Sequence, residues 1–228
     1  WCTPSGMSET KTEAVLFDLD GTFADTAPDL GAALNRLRAD LDLPPLPLST
    51  LRPFVSQGVR GMLRAGLDML PGHPDYLPFY DRFLSHYQAA ICVDTVLFEG
   101  IASLVDNLES HGIAWGIVTN KSQRFTVPLM ESLGYARRAA CIVSGDSALR
   151  PKPHAHPMHL ACALAGCNPH QTLFVGDDLR DIQAGQAAGM VTVAAAYGYL
   201  GDGGPIASWN ADHYVNHPGE IGPLTGIN

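Results

Sequence analysis

The sequence predicts an α/β fold: a doubly wound parallel sheet with a small all-helical unit inserted after the first strand. Three observations carry this. Four apolar runs of strand length punctuate the chain, helical patterns separate them, and each run ends in polar residues. Between Asp25 and Phe98, by contrast, no run reads as a strand and only helical patterns recur.

In chain order, the first run is Ala14-Val15-Leu16-Phe17, which meets Asp18-Leu19-Asp20-Gly21-Thr22. Helical patterns follow over residues 30–41, 58–70 and 76–91, divided by Pro44, Pro45 and Pro47 and then by Pro71, Gly72 and Pro74. The strand pattern resumes with Trp115-Gly116-Ile117-Val118 before Thr119-Asn120-Lys121. It returns with Ala140-Cys141-Ile142-Val143, which leads through a loop to Arg150-Pro151-Lys152-Pro153. The last run, Thr172-Leu173-Phe174-Val175, enters Gly176-Asp177-Asp178-Leu179-Arg180-Asp181 at a helix start. Ligands of parallel α/β sheets bind at the carboxyl ends of strands, where these polar clusters fall.

Composition narrows the classes. A chain of 228 residues can bury one substantial core, or a core with a small accessory domain. Its net charge of -9 argues against nucleic acid or an anionic membrane as a partner, because both reward basic patches. No apolar stretch approaches the ~20 residues that span a bilayer. Residues 1–6 precede Met7 and read as an expression leader, and nothing after Met7 reads as a signal peptide, which predicts the cytoplasm. Cys92, Cys141, Cys162 and Cys167 are scattered among apolar neighbours and read as reduced thiols. His154, His156, His159, Cys162 and Cys167 crowd one stretch, yet without a C-x-x-C pair they fit an apolar helix face better than a zinc site.

The strand ends suggest the chemistry. On an extended chain Asp18 and Asp20 point the same way, so two negative charges converge. A hard divalent cation such as Mg²⁺ resolves that repulsion while keeping room for waters and a phosphate. Gly21 allows close backbone approach, and the amides after it can face an anion. Each later cluster has a bland reading: a helix N-cap at Thr119 and Asn120, a solvated loop lysine at Lys152, an acidic first turn at Asp177 and Asp181. Four such clusters at four strand ends form a pattern that the bland readings leave unexplained.

The ordered set Asp18-x-Asp20, Thr119, Lys152 and Gly176-Asp177-x-x-x-Asp181 resembles the haloacid dehalogenase-like phosphohydrolase superfamily, over nearly the whole chain. The resemblance implies a Rossmann-like core of residues 7–26 and 97–228, with residues 27–96 as a helical cap. It implies Asp18 as a nucleophile forming an aspartyl phosphate, and Asp20 as the acid for the leaving alcohol and the base for water. Thr119 and Lys152, with Gly21 and Asn120, would bind phosphate. Mg²⁺ would be held by Asp18, Asp177 and the Asp20 carbonyl. Asp181 would orient Lys152 or the metal shell, and the role of Asp178 is open. Covalent catalysis fits the residues, since a cation and a lysine offset the repulsion between carboxylate and phosphate.

Within the superfamily the chain is similar to the phosphoglycolate phosphatase-related group, and more narrowly to bacterial N-acetylmuramic acid 6-phosphate phosphatases of cell-wall recycling. This rests on Asp25-Thr26-Ala27-Pro28-Asp29, on residues 115–121 and 176–182, and on Tyr197-Gly198-Tyr199-Leu200 with Trp209-Asn210-Ala211-Asp212-His213. The partner implied is a small phosphorylated metabolite; oligomeric state is not predicted. In the insert, Arg52, Arg60 and Arg64 are candidates for a second substrate anion, Ser56 and Gly58 candidates for substrate contact from a loop between helices, and the solvated-face reading stands beside them. The glycine-rich stretch 198–205 is a weaker phosphate candidate. Phosphoglycolate phosphatase and phosphomutase are the alternatives. A dehalogenase would have no leaving alcohol for Asp20 to protonate, and a non-catalytic phosphate sensor would not need nucleophile, acid, lysine and metal ligand together.

Overall fold

A computed structural model describes residues 11–227; the leader assigned to residues 1–6 and the core's first residues, 7–10, lie outside the described residues. The elements run β1 (Ala14–Phe17), β2 (Ala24–Asp25), α1 (Ala27–Ala39), α2 (Leu48–Leu51), a 3-10 segment (Arg52–Gln57), α3 (Gly58–Leu67), α4 (Tyr76–Ala89) and β3 (Val96–Leu97). They continue with α5 (Ile101–Ser110), β4 (Ala114–Val118), α6 (Gln123–Ser132), β5 (Cys141–Val143), α7 (His156–Ala165), β6 (Thr172–Gly176), α8 (Leu179–Ala187), β7 (Val191–Ala195), β8 (His213–Val215) and α9 (Ile221–Leu224).

Six strands form one parallel sheet in the order β5-β4-β1-β6-β7-β8. Both faces are covered, which is why its strands read as continuous apolar runs rather than alternations. Val15 and Phe17 point to a layer that includes Leu104, Leu108 and Leu129, whereas Leu16 points to the opposite layer with Met158, Cys162 and Ala184. The chain leaves β1 toward β4 on one side, while β6 proceeds to β7 on the other. The loops after β1 and β6 therefore diverge and open a crevice at the carboxyl edge.

The insert departs from expectation in two places. β2 and β3 pair antiparallel where the chain enters and leaves it, although no strand was expected between Asp25 and Phe98; two-residue strands are too short to show a period. Ahead of α3, α2 and the 3-10 segment fill residues 48–57, so Ser56 lies in a helical turn and Gly58 opens α3 instead of both occupying a loop. The insert packs a cluster of its own, including Leu34, Leu37, Met62, Leu63 and Phe83, joined by Phe125 and Tyr199 from the sheet side. Asp29, nearly fully buried on α1, closes the neck: its carboxylate accepts hydrogen bonds from the backbone amides of Val93, Asp94 and Thr95 and from Thr95 Oγ1.

Candidate active site

The turn after β1 is held rigidly. The backbone amides of Phe23 and Ala24 donate to the Leu19 carbonyl, and Phe23 stacks on Trp115 at 5.4 Å between centroids. Gly21 has φ +90°, and a Cβ there would lie 2.3 Å from Asp177 Oδ2, so its first role is to let this turn press against the end of β6. Its own N–H donates to the Ala24 carbonyl at 3.0 Å, and the next two amides, of Thr22 and Phe23, turn to the Leu19 carbonyl at 3.4 and 3.1 Å.

Asp18 and Asp20 then separate in function. Asp18 Oδ1 lies 2.7 Å from Lys152 Nζ, which is also 2.6 Å from Asp181 Oδ1 and 2.9 Å from the Val118 carbonyl. Asp20 Oδ1 instead accepts from Thr26 Oγ1 at 2.5 Å and from Lys121 Nζ at 2.7 Å. Burial alone would lower the pKa of both lysines. The facing carboxylates outweigh it: Asp18 and Asp181 raise the pKa of Lys152, while Asp20, with Tyr87, raises that of Lys121. Asn120 fixes Lys152 by its backbone, giving Nδ2 to the Lys152 carbonyl at 3.0 Å and accepting the Lys152 N–H on Oδ1 at 2.9 Å. Both ends of the Asn120 side chain are thereby engaged in positioning the lysine. Thr119, 3% exposed, lines the same cavity beside Asp18.

Asp177, fully buried at the end of β6, accepts from Thr22 Oγ1 at 3.0 Å and from the Tyr199 N–H at 2.8 Å. Burial, then the charges of Asp18 and Asp181, push its pKa well above the ordinary carboxylate value. Asp181 is likewise raised to about 7 by burial and by Asp18, against the opposing pull of Lys152. Carboxylate oxygens of Asp18, Asp177 and Asp181 lie within 4.8 Å of one another. This three-acid cluster is short of positive charge, which a divalent cation would supply. Asp181 is paired with Lys152 and accepts the Asp178 N–H, and Asp177 accepts at both oxygens, whereas Asp18 is engaged through Oδ1 alone.

Asp178 acquires a role that the sequence left open. It N-caps α8, forms a capping box with Asp181, and grips Arg180 bidentately at 2.8 and 2.9 Å, while Arg180 also donates to the Ser56 carbonyl at 2.6 Å. Burial would raise the pKa of Asp178, but Arg180 keeps it below the ordinary value. The 198–205 stretch packs behind Asp177 rather than facing a phosphate: a Cβ on Gly198 would sit 2.2 Å from Asp177 Cβ.

These residues line a cavity of about 540 Å³ between the sheet edge and the helical insert. Six carboxylates and four cations face it. On the insert side its wall is largely apolar, with Leu30, Val55, Val59, Phe83, Leu84 and Tyr87. Ser56 and Gly58 line it as expected; Arg52, Arg60 and Arg64 do not. Arg52 is committed to Asp25 through two hydrogen bonds of 2.8 and 3.0 Å and stacks over Tyr199. Arg60 and Arg64 occupy the outer face of α3, one turn apart, because its inner face buries Gly61, Met62, Leu63 and Gly66. His154, His156 and His159 are exposed while Cys162 is buried in the core, as an apolar helix face requires. The sequence reading missed Lys121, Thr22 and Thr26 as site residues. Lys121, two residues beyond Thr119 at the same strand end, was the one with a visible signal.

Fold, crevice and acidic strand ends together define a class, and comparison with known proteins agrees with it. Residues 15–195 match the model of the haloacid dehalogenase-like hydrolases. The chain is 42% identical over 215 residues to the N-acetylmuramic acid 6-phosphate phosphatase of Pseudomonas aeruginosa, covering 94% of this chain and 95% of that one. It is 41% identical over 209 residues to a phosphoglycolate phosphatase of Xanthomonas campestris, covering 91% and 94%. A crystal structure of a predicted phosphoglycolate phosphatase from Haemophilus somnus superposes with a TM-score of 0.83 at 26% identity, over 96% of this chain and all of that one. The chain belongs to the haloacid dehalogenase-like hydrolase family and, like the relatives it matches, is a phosphatase.

Proposed function

We propose that the protein is a Mg²⁺-dependent phosphomonoesterase acting through an aspartyl phosphate on Asp18, with N-acetylmuramic acid 6-phosphate as its substrate. The observation that carries the mechanism is the division of labour between the two acids after β1. Asp18 faces Lys152 and the three-acid cluster, whereas Asp20 is held apart by Thr26 and Lys121. In this reading an Asp18 oxygen attacks phosphorus as the ester bond breaks, and Asp20 gives its proton to the departing alkoxide. Asp20 then takes a proton from the water that attacks the acyl phosphate, releasing inorganic phosphate and regenerating Asp18. Lys152 and Thr119 hold the phosphoryl oxygens, and Asn120 keeps Lys152 in register. Mg²⁺, held by Asp18, Asp177 and the Asp20 carbonyl, would supply the positive charge that lets an anionic nucleophile approach an anionic ester.

Residues 27–96 act here as a cap that closes the site and reads the leaving group. A cavity of about 540 Å³ with an apolar wall suits an N-acetylated sugar better than glycolate. Relatives of both kinds stand at nearly equal identity, so phosphoglycolate is the competing reading. The described cysteines are free, which suits a reducing cytoplasm; no described helix is long and apolar enough to cross a membrane. The test is direct competition with Mg²⁺ present. N-acetylmuramic acid 6-phosphate is expected to be hydrolysed ahead of 2-phosphoglycolate, and the opposite preference would overturn the substrate while leaving the core chemistry standing.

A further inference from the structure

The four cations facing the cavity are not equivalent. Lys152 is committed to Asp18 and Asp181, Lys121 to Asp20, and Arg180 to Asp178. Arg124, in the first turn of α6, is the exception: among the described residues it has no carboxylate partner within 4.0 Å. Its Nη2 donates to a neutral acceptor, Gln88 Oε1 on α4, at 3.1 Å. Its guanidinium carbon lies 4.5 Å from the centroid of the Phe125 ring, which supports one face of the group. A guanidinium has five N–H donors, and one is used in this way. The group is thus exposed, braced on a ring and largely unpaired, at the seam where the core meets the insert. Also lining this cavity is Ser56, whose Oγ is buried with no hydrogen-bond partner among the described residues.

We infer that Arg124 binds a carboxylate carried by the substrate in addition to its phosphate, and so selects acidic phosphomonoesters over neutral ones. This rests on the phosphatase reading above. Lys152 and the acid cluster are occupied with the reacting phosphate, so a second anion entering an already acidic cavity needs a cation of its own. Arg60 and Arg64 do not face the cavity and Arg52 is already paired, which leaves Arg124. Its planar fork matches a carboxylate with two parallel hydrogen bonds. The orphaned hydroxyl of Ser56 is placed for a neutral polar group of the same ligand.

The experiment compares N-acetylmuramic acid 6-phosphate with N-acetylglucosamine 6-phosphate, which lacks the lactyl carboxylate, on wild type, Arg124→Gln, Arg124→Lys and Gln88→Ala. Arg124→Gln is expected to lower kcat/KM for the acidic ester ~10- to 100-fold, mainly through KM, as loss of a charge-assisted hydrogen bond would. The neutral ester should change less than ~3-fold. Arg124→Lys should recover part of the loss by restoring charge without the fork. Gln88→Ala removes the tether between α4 and α6 but keeps the cation, so it should preserve the preference. Equal losses on both esters, no loss on either, or a Gln88→Ala defect as selective as that of Arg124→Gln would overturn the inference. Wild type that hydrolyses neither ester would overturn the sugar phosphatase reading and this inference with it. Wild type active on both, with a ratio indifferent to Arg124, would overturn the inference alone.

Discussion

Replacing Lys152 with methionine keeps the length of the side chain and removes the charge that holds the acid cluster together. Its Nζ lies 2.7 Å from Asp18 and 2.6 Å from Asp181, with 3% of the side chain exposed, so nothing else can take its place. Deleting one partner of a buried ion pair costs about 3–5 kcal/mol, because a charge is left uncompensated. In a chain of this size each kcal/mol moves Tm by about 2–4 °C, so the fall should be about 6–20 °C. The pH dependence is the sharper test. Asp181 is raised from 3.8 to about 7, first by burial and then by Asp18, while Lys152 opposes the rise. A carboxyl whose folded pKa is raised adds stability at low pH, and that contribution is lost as pH climbs through about 7. Without Lys152 the folded pKa climbs further and the loss deepens. Melts in chelator should therefore show a wider gap between wild type and Lys152→Met near pH 8 than near pH 5, where both enzymes carry a protonated Asp181. A gap that does not vary with pH, or none at all near pH 8, would refute the assignment of Lys152 as the charge that neutralises the cluster.

Other expectations follow from the same geometry. Asp18→Asn should abolish phosphate release while circular dichroism and melting show a folded protein; substantial residual turnover would remove Asp18 as nucleophile. Asp20→Asn should slow turnover roughly 10²- to 10⁴-fold, the range of general acid–base catalysis, and a rate equal to wild type would count against its role. Chelator should eliminate activity and Mg²⁺ restore it, whereas Ca²⁺ should inhibit, because its looser shell lets a carboxylate bind through both oxygens and lose the line of attack. Activation by Ca²⁺ would contradict that. Asp29→Ala should cost about 3 kcal/mol in denaturant unfolding, since it leaves the buried donors of residues 93–95 unpaired; a loss below ~1 kcal/mol would show that the neck does not depend on this carboxylate.

The sequence by itself determined the parallel α/β class, the run of helices after β1, and the presence of Asp18, Asp20, Thr119 and Asp177 at strand ends, with Lys152 in the loop after β5 and Asp181 in the first turn of α8. These are local facts: a strand buried on both faces must be apolar, so acids just beyond such runs, and a lysine set between two prolines in the loop after one, stand out. β7 was not foreseen, although Val191 to Ala195 is as apolar as its neighbours, because it ends without a polar cluster to draw attention to it. Only the tertiary structure decided which charges meet. Lys152 reaches Asp18 across 134 residues of chain and Lys121 reaches Asp20 across 101, and no sequence spacing encodes such pairs. The same limit misdirected the reading of the arginines. The turn-by-turn pattern of α3 showed correctly that Arg60 and Arg64 share a face, but whether that face meets the cavity or solvent depends on how α3 packs against α1 and α4. Burial of Met62, Leu63 and Gly66 turned it outward. Arg124 faces the cavity because α6 begins at the end of β4, beside the site that β1 and β6 complete, and that convergence of three strand ends exists only once the sheet has formed.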